Sequence, residues 1–585
     1  MDIFLSLSTL GAVLVQGGYF PTIFLMAALA MSVMFLFVKK PAIPHGVWWS
    51  LALAGWYLLA ALRGGYRADT LSQAFLPMCC ALFLVLYCCL PKEKKQRCLH
   101  ILMMGSGILA GVSILAYSGV LPLEAAVTSR RLQGTFQYAN AAGSWFAAMA
   151  VLTQDSENCR CRKFNLSILT ALLLTRSTGA LGLYALMQGT RAVLRRRERE
   201  WANIVLLNTA ALPFALFFYL VPGWPALPAL ALLYLLGWHL ERLLPKARQL
   251  RLEWVCLFFG GGAAAAFLAG RRFASSLATF AERLVHMKDG FGAILQHPVF
   301  GLGAGCWAEA APYYQSAQYS ATVIHSSPVL IGVDAGVPAM LLALGLIVCG
   351  WRRGGRTPGQ TLAVLLLVLH SVFDFTVCFY PLAALVLALL FAGEETVKNS
   401  GPDKGRRMTA VWRTGAVVCA VLSAWLLAGE LETKRLNAYI NAQDWPGAVS
   451  CYEHRQALFG ESQKARSAYV YALTSGGDME DVLRATEKTE SLPLHELLSR
   501  AQALKALGDQ DAACGLLLEQ LELRRYQTEL FQRTAELLLR WEADADTVNA
   551  YNRIVDLANG GRTLLGDLMG NQVYIEKIKQ MEGVS

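Results

Sequence analysis

Apolar runs of helical length recur from residue 3 to residue 428, and short segments between them carry most of that region's cations. Few folds accept such a pattern. In a bilayer every backbone N–H and C=O must be satisfied within the protein, which leaves helices or closed barrels. Runs of about twenty residues fit helices rather than the shorter alternating strands of a barrel. Hydrophobic residues make up 55% of the 585-residue chain and charged residues 16%, with a mean hydropathy of +0.40. A soluble chain carries more charge. The net charge of +10 does not point to nucleic acid, because the cations fall in clusters between apolar runs, where they orient membrane helices. The expected fold is all-α: a polytopic membrane bundle over 1–429 with a C-terminal α-helical repeat domain over 430–585.

The cation clusters assign sides. Runs at 3–17 and 21–38 precede Lys39 and Lys40; no early basic region marks a cleaved signal peptide. Runs at 47–62, 71–90 and 99–121 follow. The basic loops 39–46 and 91–98 are placed inside and 122–139 outside. After a run at 140–154, Arg160–Lys163 and Arg191–Arg199 both ask for the inside. A single helix between them would separate them, so 164–190 is read as a hairpin of two short helices turning at Thr175–Gly179, with Arg176 at its outer tip. Runs at 202–221, 226–243 and 253–270 follow, then 327–349, a stretch ending at Asp374, 377–392 and 409–428, giving about fifteen apolar segments. Gly107, Gly111 and the Gly260–Gly262 run read as small faces for close helix packing.

One stretch differs. Residues 271–326 are polar and aromatic, with cations, three histidines and a glycine cluster. They are expected to form a long extracytoplasmic loop that serves as the working surface. Beyond 430 the composition turns amphipathic. The motifs beginning at Gln443, Gly477 and Gly508 recur at intervals of 34 and 31 residues, near the period of tetratricopeptide helix pairs. This domain is expected outside, as an appendage or a docking surface for a partner.

Most of the fourteen cysteines lie in or beside apolar runs and read as buried hydrophobes. Cys159 and Cys161 have no second pair at zinc spacing. No metal-ligand pattern or nucleophile elbow is present. Gly301–Gly305 lacks the Lys-Ser/Thr of a phosphate loop and reads as a close backbone approach. On the assigned outer side stand Arg131, Arg176, Arg283, Lys288, His325, His370 and Asp374. Several arginines on one face suit a diphosphate, which guanidinium forks grip in two places. A histidine can take a proton from a sugar hydroxyl near neutral pH.

Four separated pieces, Arg131–Asn140, Leu174–Ala180, Arg283 through His297–Gly305, and His325–Val337, resemble the O-antigen ligase and polymerase superfamily of integral-membrane glycosyltransferases, and His370–Asp374 fits after them. The resemblance covers about 120–390; a tetratricopeptide-like C-terminal extension also recurs in that family. It implies metal-independent, cofactor-free transfer of a glycan from an undecaprenyl-diphosphate carrier to a hydroxyl acceptor on a glycan, lipid or protein. The site would lie at the outer face of the cytoplasmic membrane, and the anomeric centre would invert. Arg283 would hold the diphosphate, and His325 would be base or positioner. Arg131, Arg176 and Lys288 would bind substrate, with His370 and Asp374 supporting. Two departures stand out. The family's Ser-Arg-Gly hairpin tip is here Arg176-Ser177-Thr178-Gly179, and its His-Asn is His325-Ser326. The alternatives are a flippase for lipid-linked sugars, which calls for mid-span ionisable groups and inverted repeats, and a membrane-anchored helical scaffold.

Overall fold

The computed structural model describes residues 1–38, 44–63, 67–195, 198–256, 271–394, 402–487, 492–561, 563–570 and 572–578. These residues are mostly helical. The β-structure among them is a ribbon pairing Val127–Thr128 with Arg131–Leu132. Among the described residues five helices are long and apolar enough to cross a membrane, or six if the bent Ala226–Gln249 helix is one span; five shorter apolar helices of 10–17 residues accompany them. The expected run at 253–270 lies mostly outside the described residues; of the other expected segments, some short, those in the described residues include fewer helices of spanning length. Short apolar helices such as Asp2–Leu14 and Tyr380–Leu390 account for part of the difference. Lys39, Lys40 and the Gly260–Gly262 run lie outside the described residues.

The chain forms two compact units, each from separate pieces. One comprises Met1–Gly55, Phe75–Phe273 and Leu341–Ala424; the other comprises Trp56–Ala74, Ala274–Met340 and Trp425–Ser585.

The first unit is built around the helix Ala139–Asp155, which is buried from Ala139 to Thr153. Its run of small residues (Ala141, Ala142, Gly143, Ser144, Ala147, Ala148) lets neighbours approach from all sides. Helices Lys92–Tyr117, Asn165–Thr175, Thr178–Arg195 and Pro358–Val372 pack against it. Hydrogen bonds fix their directions. Asn165 donates to the Ala150 carbonyl (3.0 Å) and Arg131 Nε to the Thr175 carbonyl (3.2 Å), so Asn165–Thr175 runs antiparallel to the central helix. Gln154 donates to Tyr184 (3.0 Å) and accepts from Gln188 (2.6 Å), so Thr178–Arg195 runs parallel to it. The expected hairpin is present, and it turns at Arg176 in a left-handed conformation (φ 52°). Gly107 and Gly111 do receive close neighbours, but these are side chains: a β-carbon would lie 2.3 Å from Phe164 and 2.4 Å from the Tyr234 hydroxyl.

In the second unit, Arg271–Gln296 is one 26-residue helix and Trp307–Tyr314 a short one. Much of the expected loop is thus helix. Apolar residues at helical spacing (Ala281, Val285) turn to a buried cluster with Tyr319 and Met569. The glycine run docks on the helix Ser327–Arg352 where that helix is interrupted at Ala335–Gly336. Leu302 N–H donates to the Val333 carbonyl (2.7 Å), Gly303 N–H to the Asp334 carbonyl (3.2 Å) and Val337 N–H to the Pro298 carbonyl (2.8 Å). A β-carbon on Gly301 would lie 2.3 Å from the Val333 oxygen, so this close backbone approach requires glycine.

The helix Pro402–Asn441 continues past residue 430 without a break. A series of short helices follows, from Trp445–Phe459 to Leu564–Met569. The repeated turn has one cause. Gln443, Gly477 and Gly508 adopt left-handed φ of 58°, 90° and 95°, ending a helix. The next residue is an aspartate; Asp444 and Asp509 cap the following helix through the N–H groups of Gly447 and Ala512.

Candidate functional site

In the second unit, one face of the helix Arg271–Gln296 presents Glu282, Arg283, His286 and Asp289, each within one or two turns of the next. His325 lies just before the helix Ser327–Arg352. Its Nδ1 is 3.1 Å from Nδ1 of His286, a distance that requires one shared proton. His286 is 1% exposed. Burial above all, then the neighbouring His325 and the Arg283 charge, pushes its pKa down to about 3. It is neutral throughout the physiological range. Its Nε2 lies 3.9 Å from Glu282 Oε1. With the proton of His286 on Nε2, facing that carboxylate, its Nδ1 accepts from His325 Nδ1–H. In that tautomer the lone pair of His325 sits on Nε2.

A second set of bonds holds this pair. The His286 ring lies 4.3 Å from the Tyr319 ring, centroid to centroid. Tyr319 OH donates to Asp289 Oδ2 (3.0 Å), which also accepts from Ser316 N–H (3.0 Å). Burial raises the pKa of Asp289 and of Glu282. Tyr319 is raised as well, by burial and by Asp289 beside it. Lys288 is exposed. Helical geometry puts it on the far side from Arg283 and His286, so the structure does not bring it to the imidazoles.

In the first unit, Arg131 and Asp374 are joined through Asn140. Arg131 Nη2 donates to Asn140 Oδ1 (2.8 Å), and Asn140 Nδ2 donates to Asp374 Oδ2 (2.8 Å). Tyr138 OH donates to both Asp374 oxygens (3.0 and 3.1 Å), and Ser177 Oγ to Asn140 Oδ1 (2.9 Å). Asp374 is fully buried, and Phe375 N–H also donates to its Oδ1 at 2.9 Å. Tyr138 is clamped by stacking on Phe375 and Phe379. His370 is buried beside the hairpin, where a methyl on Gly179 would lie 3.5 Å from its Nε2. Arg176 points elsewhere: it donates to the Arg130 carbonyl (3.1 Å) and lies 5.2 Å from the Tyr219 ring centroid.

Sequence reasoning selected His325 and Arg283 but not His286, Asp289 or Tyr319. The available signal was the spacing of Glu282, His286 and Asp289 on one face, visible only once the stretch is read as a helix. Among the described residues no group of three or more His, Cys, Asp or Glu could hold a metal ion. No protein-family model matches the chain, and no curated protein is similar to it.

Proposed function

We propose that the protein is a multi-pass enzyme of the cytoplasmic membrane that transfers a glycan from an undecaprenyl-diphosphate carrier to a hydroxyl acceptor, as the resemblance of its motifs implies. Residues 271–326 and the C-terminal helical repeats would face outward. The observation that carries the reading is the His286–His325 contact on the helix of Arg283. A buried, neutral imidazole orients a second one, with a fixed guanidinium charge nearby. That is a proton acceptor beside an anion-binding group.

In the step, the acceptor hydroxyl gives its proton to His325 Nε2 as its oxygen attacks the anomeric carbon. The bond from that carbon to the diphosphate oxygen breaks, and the electron pair leaves with the diphosphate. Arg283 compensates the charge that grows there. A diphosphate leaves readily, so no general acid is required. His286 holds the tautomer of His325. In the first unit, Arg131 is assigned to anion binding, with His370 and Asp374 as support, whereas Arg176 is turned to Arg130 and Tyr219 and is left out of the step. The interrupted helix at Asp334 could suggest a transporter, but docking of the glycine run accounts for it.

The test is a deletion strain complemented with Arg283→Ala or His325→Ala at verified membrane abundance. Surface glycan length and the carrier-linked oligosaccharide pool are measured. Lost glycan with carrier-linked units accumulating outside supports transfer. Single repeat units on the acceptor would then mean polymerase, and long chains on the carrier ligase. Accumulation inside means flippase, and normal glycan in both variants removes these residues from the chemistry.

A further inference from the structure

The central helix of the first unit has its Asn140–Asp374 network at one end. At the other end, about 20 Å away by helical rise, lies a cavity of about 520 Å³. Three arginines from three helical elements line it: Arg162, Arg191 and Arg248. Arg191 is held by Asp155 (3.7 Å) and the Gln154 carbonyl (3.4 Å). Arg162 donates to the carbonyls of Ser156 (2.7 Å) and Glu157 (3.1 Å). Arg248 Nε is buried with no acceptor among the described residues. Asp155 spends its second oxygen on Gly359 N–H (2.8 Å), and Glu157 is exposed at the rim. The cavity thus presents a net positive wall with a donor left over.

Ile204, Leu207, Leu240 and Leu244 add apolar side chains to the lining, and Leu240 and Leu244 precede Arg248 at four-residue spacing in the helix Ala226–Gln249. Close to it stand exposed tryptophans. Trp238 carries Lys163 Nζ 3.4 Å from its ring centroid, and Trp254 meets Trp201 edge-on at 5.3 Å. Tryptophan and lysine at one level mark the boundary between hydrocarbon and headgroups. Guanidinium groups together with alkyl side chains in one cavity match a phosphate that carries acyl chains.

We propose that this cavity binds the phosphate of an anionic phospholipid headgroup, with the acyl chains along the Leu240–Leu244 wall. Basic pockets between membrane helices bind such headgroups. The site is separate from the transfer chemistry; its assignment to a lipid rests on the membrane reading above. The proton of Arg248 Nε finds its acceptor in a phosphate oxygen, and Arg162 and Arg191 keep their protein contacts while contributing charge.

The test uses the purified full-length protein, with native mass spectrometry of retained lipid and titration with phosphatidylglycerol, phosphatidylcholine or inorganic phosphate. The expected result is preferential retention of phosphatidylglycerol by the wild type, weakened about tenfold in Arg248→Gln, the loss of one charge-assisted contact. Leu244→Glu, which sets a carboxylate on the acyl wall, should weaken it similarly and serves if Arg248→Gln does not fold. Inorganic phosphate that displaces phosphatidylglycerol at equal concentration would mean a free-phosphate site and overturn the lipid assignment. Equal retention of both phospholipids by the wild type, or unchanged retention in both variants, would overturn the site. Because lipid is read without turnover, absence of transfer activity leaves this result standing.

Discussion

His286 can serve its neighbour only while it stays uncharged. Its folded pKa is about 3, whereas an unfolded imidazole titrates near 6.5. Between those values the unfolded chain binds the extra proton, so this residue makes stability fall as pH drops below about 6.5. Glu282 and Asp289, whose pKa values are raised, act in the opposite sense, losing stability as pH rises through their folded values. Comparing wild type with His286→Gln isolates the imidazole: thermal unfolding of the variant should lose part of the destabilisation between pH 6.5 and 5. Parallel curves would contradict the assignment. In the first unit, Asp374→Leu leaves Asn140 Nδ2 and Tyr138 OH without their carboxylate acceptor and should cost about 2–5 kcal/mol, read as a lowered unfolding midpoint. At this scale the sequence marks residues by type and motif. Arg283 and His325 stood out for that reason. His286 did not, since one histidine in a helix has no signature until its contact is known, and Arg176 stood out although its guanidinium turns to Arg130 and Tyr219.

Helices legible in the chain were those whose apolar run and punctuation agree, such as Ala139–Asp155 and the hairpin that turns at Arg176. Charge placement identified that hairpin before any geometry did. The helix Arg271–Gln296 was hidden because a mixed polar face resembles a loop by composition; its apolar residues face Tyr319 and Met569, distant in sequence. Glycines separate docking from mere helix filling. Gly301→Ala meets backbone and forces a left-handed φ of 65°, so it should cost at least about 2 kcal/mol. Gly292→Ala, with nothing within 4 Å, should stabilise by about 0.5–1 kcal/mol. Thermal unfolding of the two variants checks both signs. The stretch 572–573 clasps Gln318, whose side chain donates to the Val573 carbonyl (2.8 Å) and accepts from its N–H (2.6 Å). Gln318→Ala should therefore speed hydrogen exchange in both 572–578 and 281–289. Exchange unchanged in 281–289 would mean the clasp does not support the helix of His286.

Across the whole molecule, composition foretold helices, and the described residues are mostly helical, with five helices long and apolar enough to cross a membrane. It could not foretell that each compact unit is assembled from three separate pieces of chain, because such grouping depends on contacts between residues hundreds of positions apart. Nor did run-counting separate spanning helices from short buried ones, since a core helix and a lipid-facing helix are equally apolar. The proposed sidedness has its own check. A membrane-impermeant thiol reagent should reach Ser320→Cys in intact spheroplasts and Cys159, the exposed native cysteine, only after permeabilisation; the reverse pattern would invert the topology. The most direct test of the central claim is turnover by the purified protein in lipid nanodiscs with a polyprenyl-diphosphate oligosaccharide and a hydroxyl acceptor. His325→Ala should lower kcat by about 10²–10⁴ with donor KM little changed, as loss of a general base does. A folded His325→Ala protein that turns over at the wild-type rate would contradict the account.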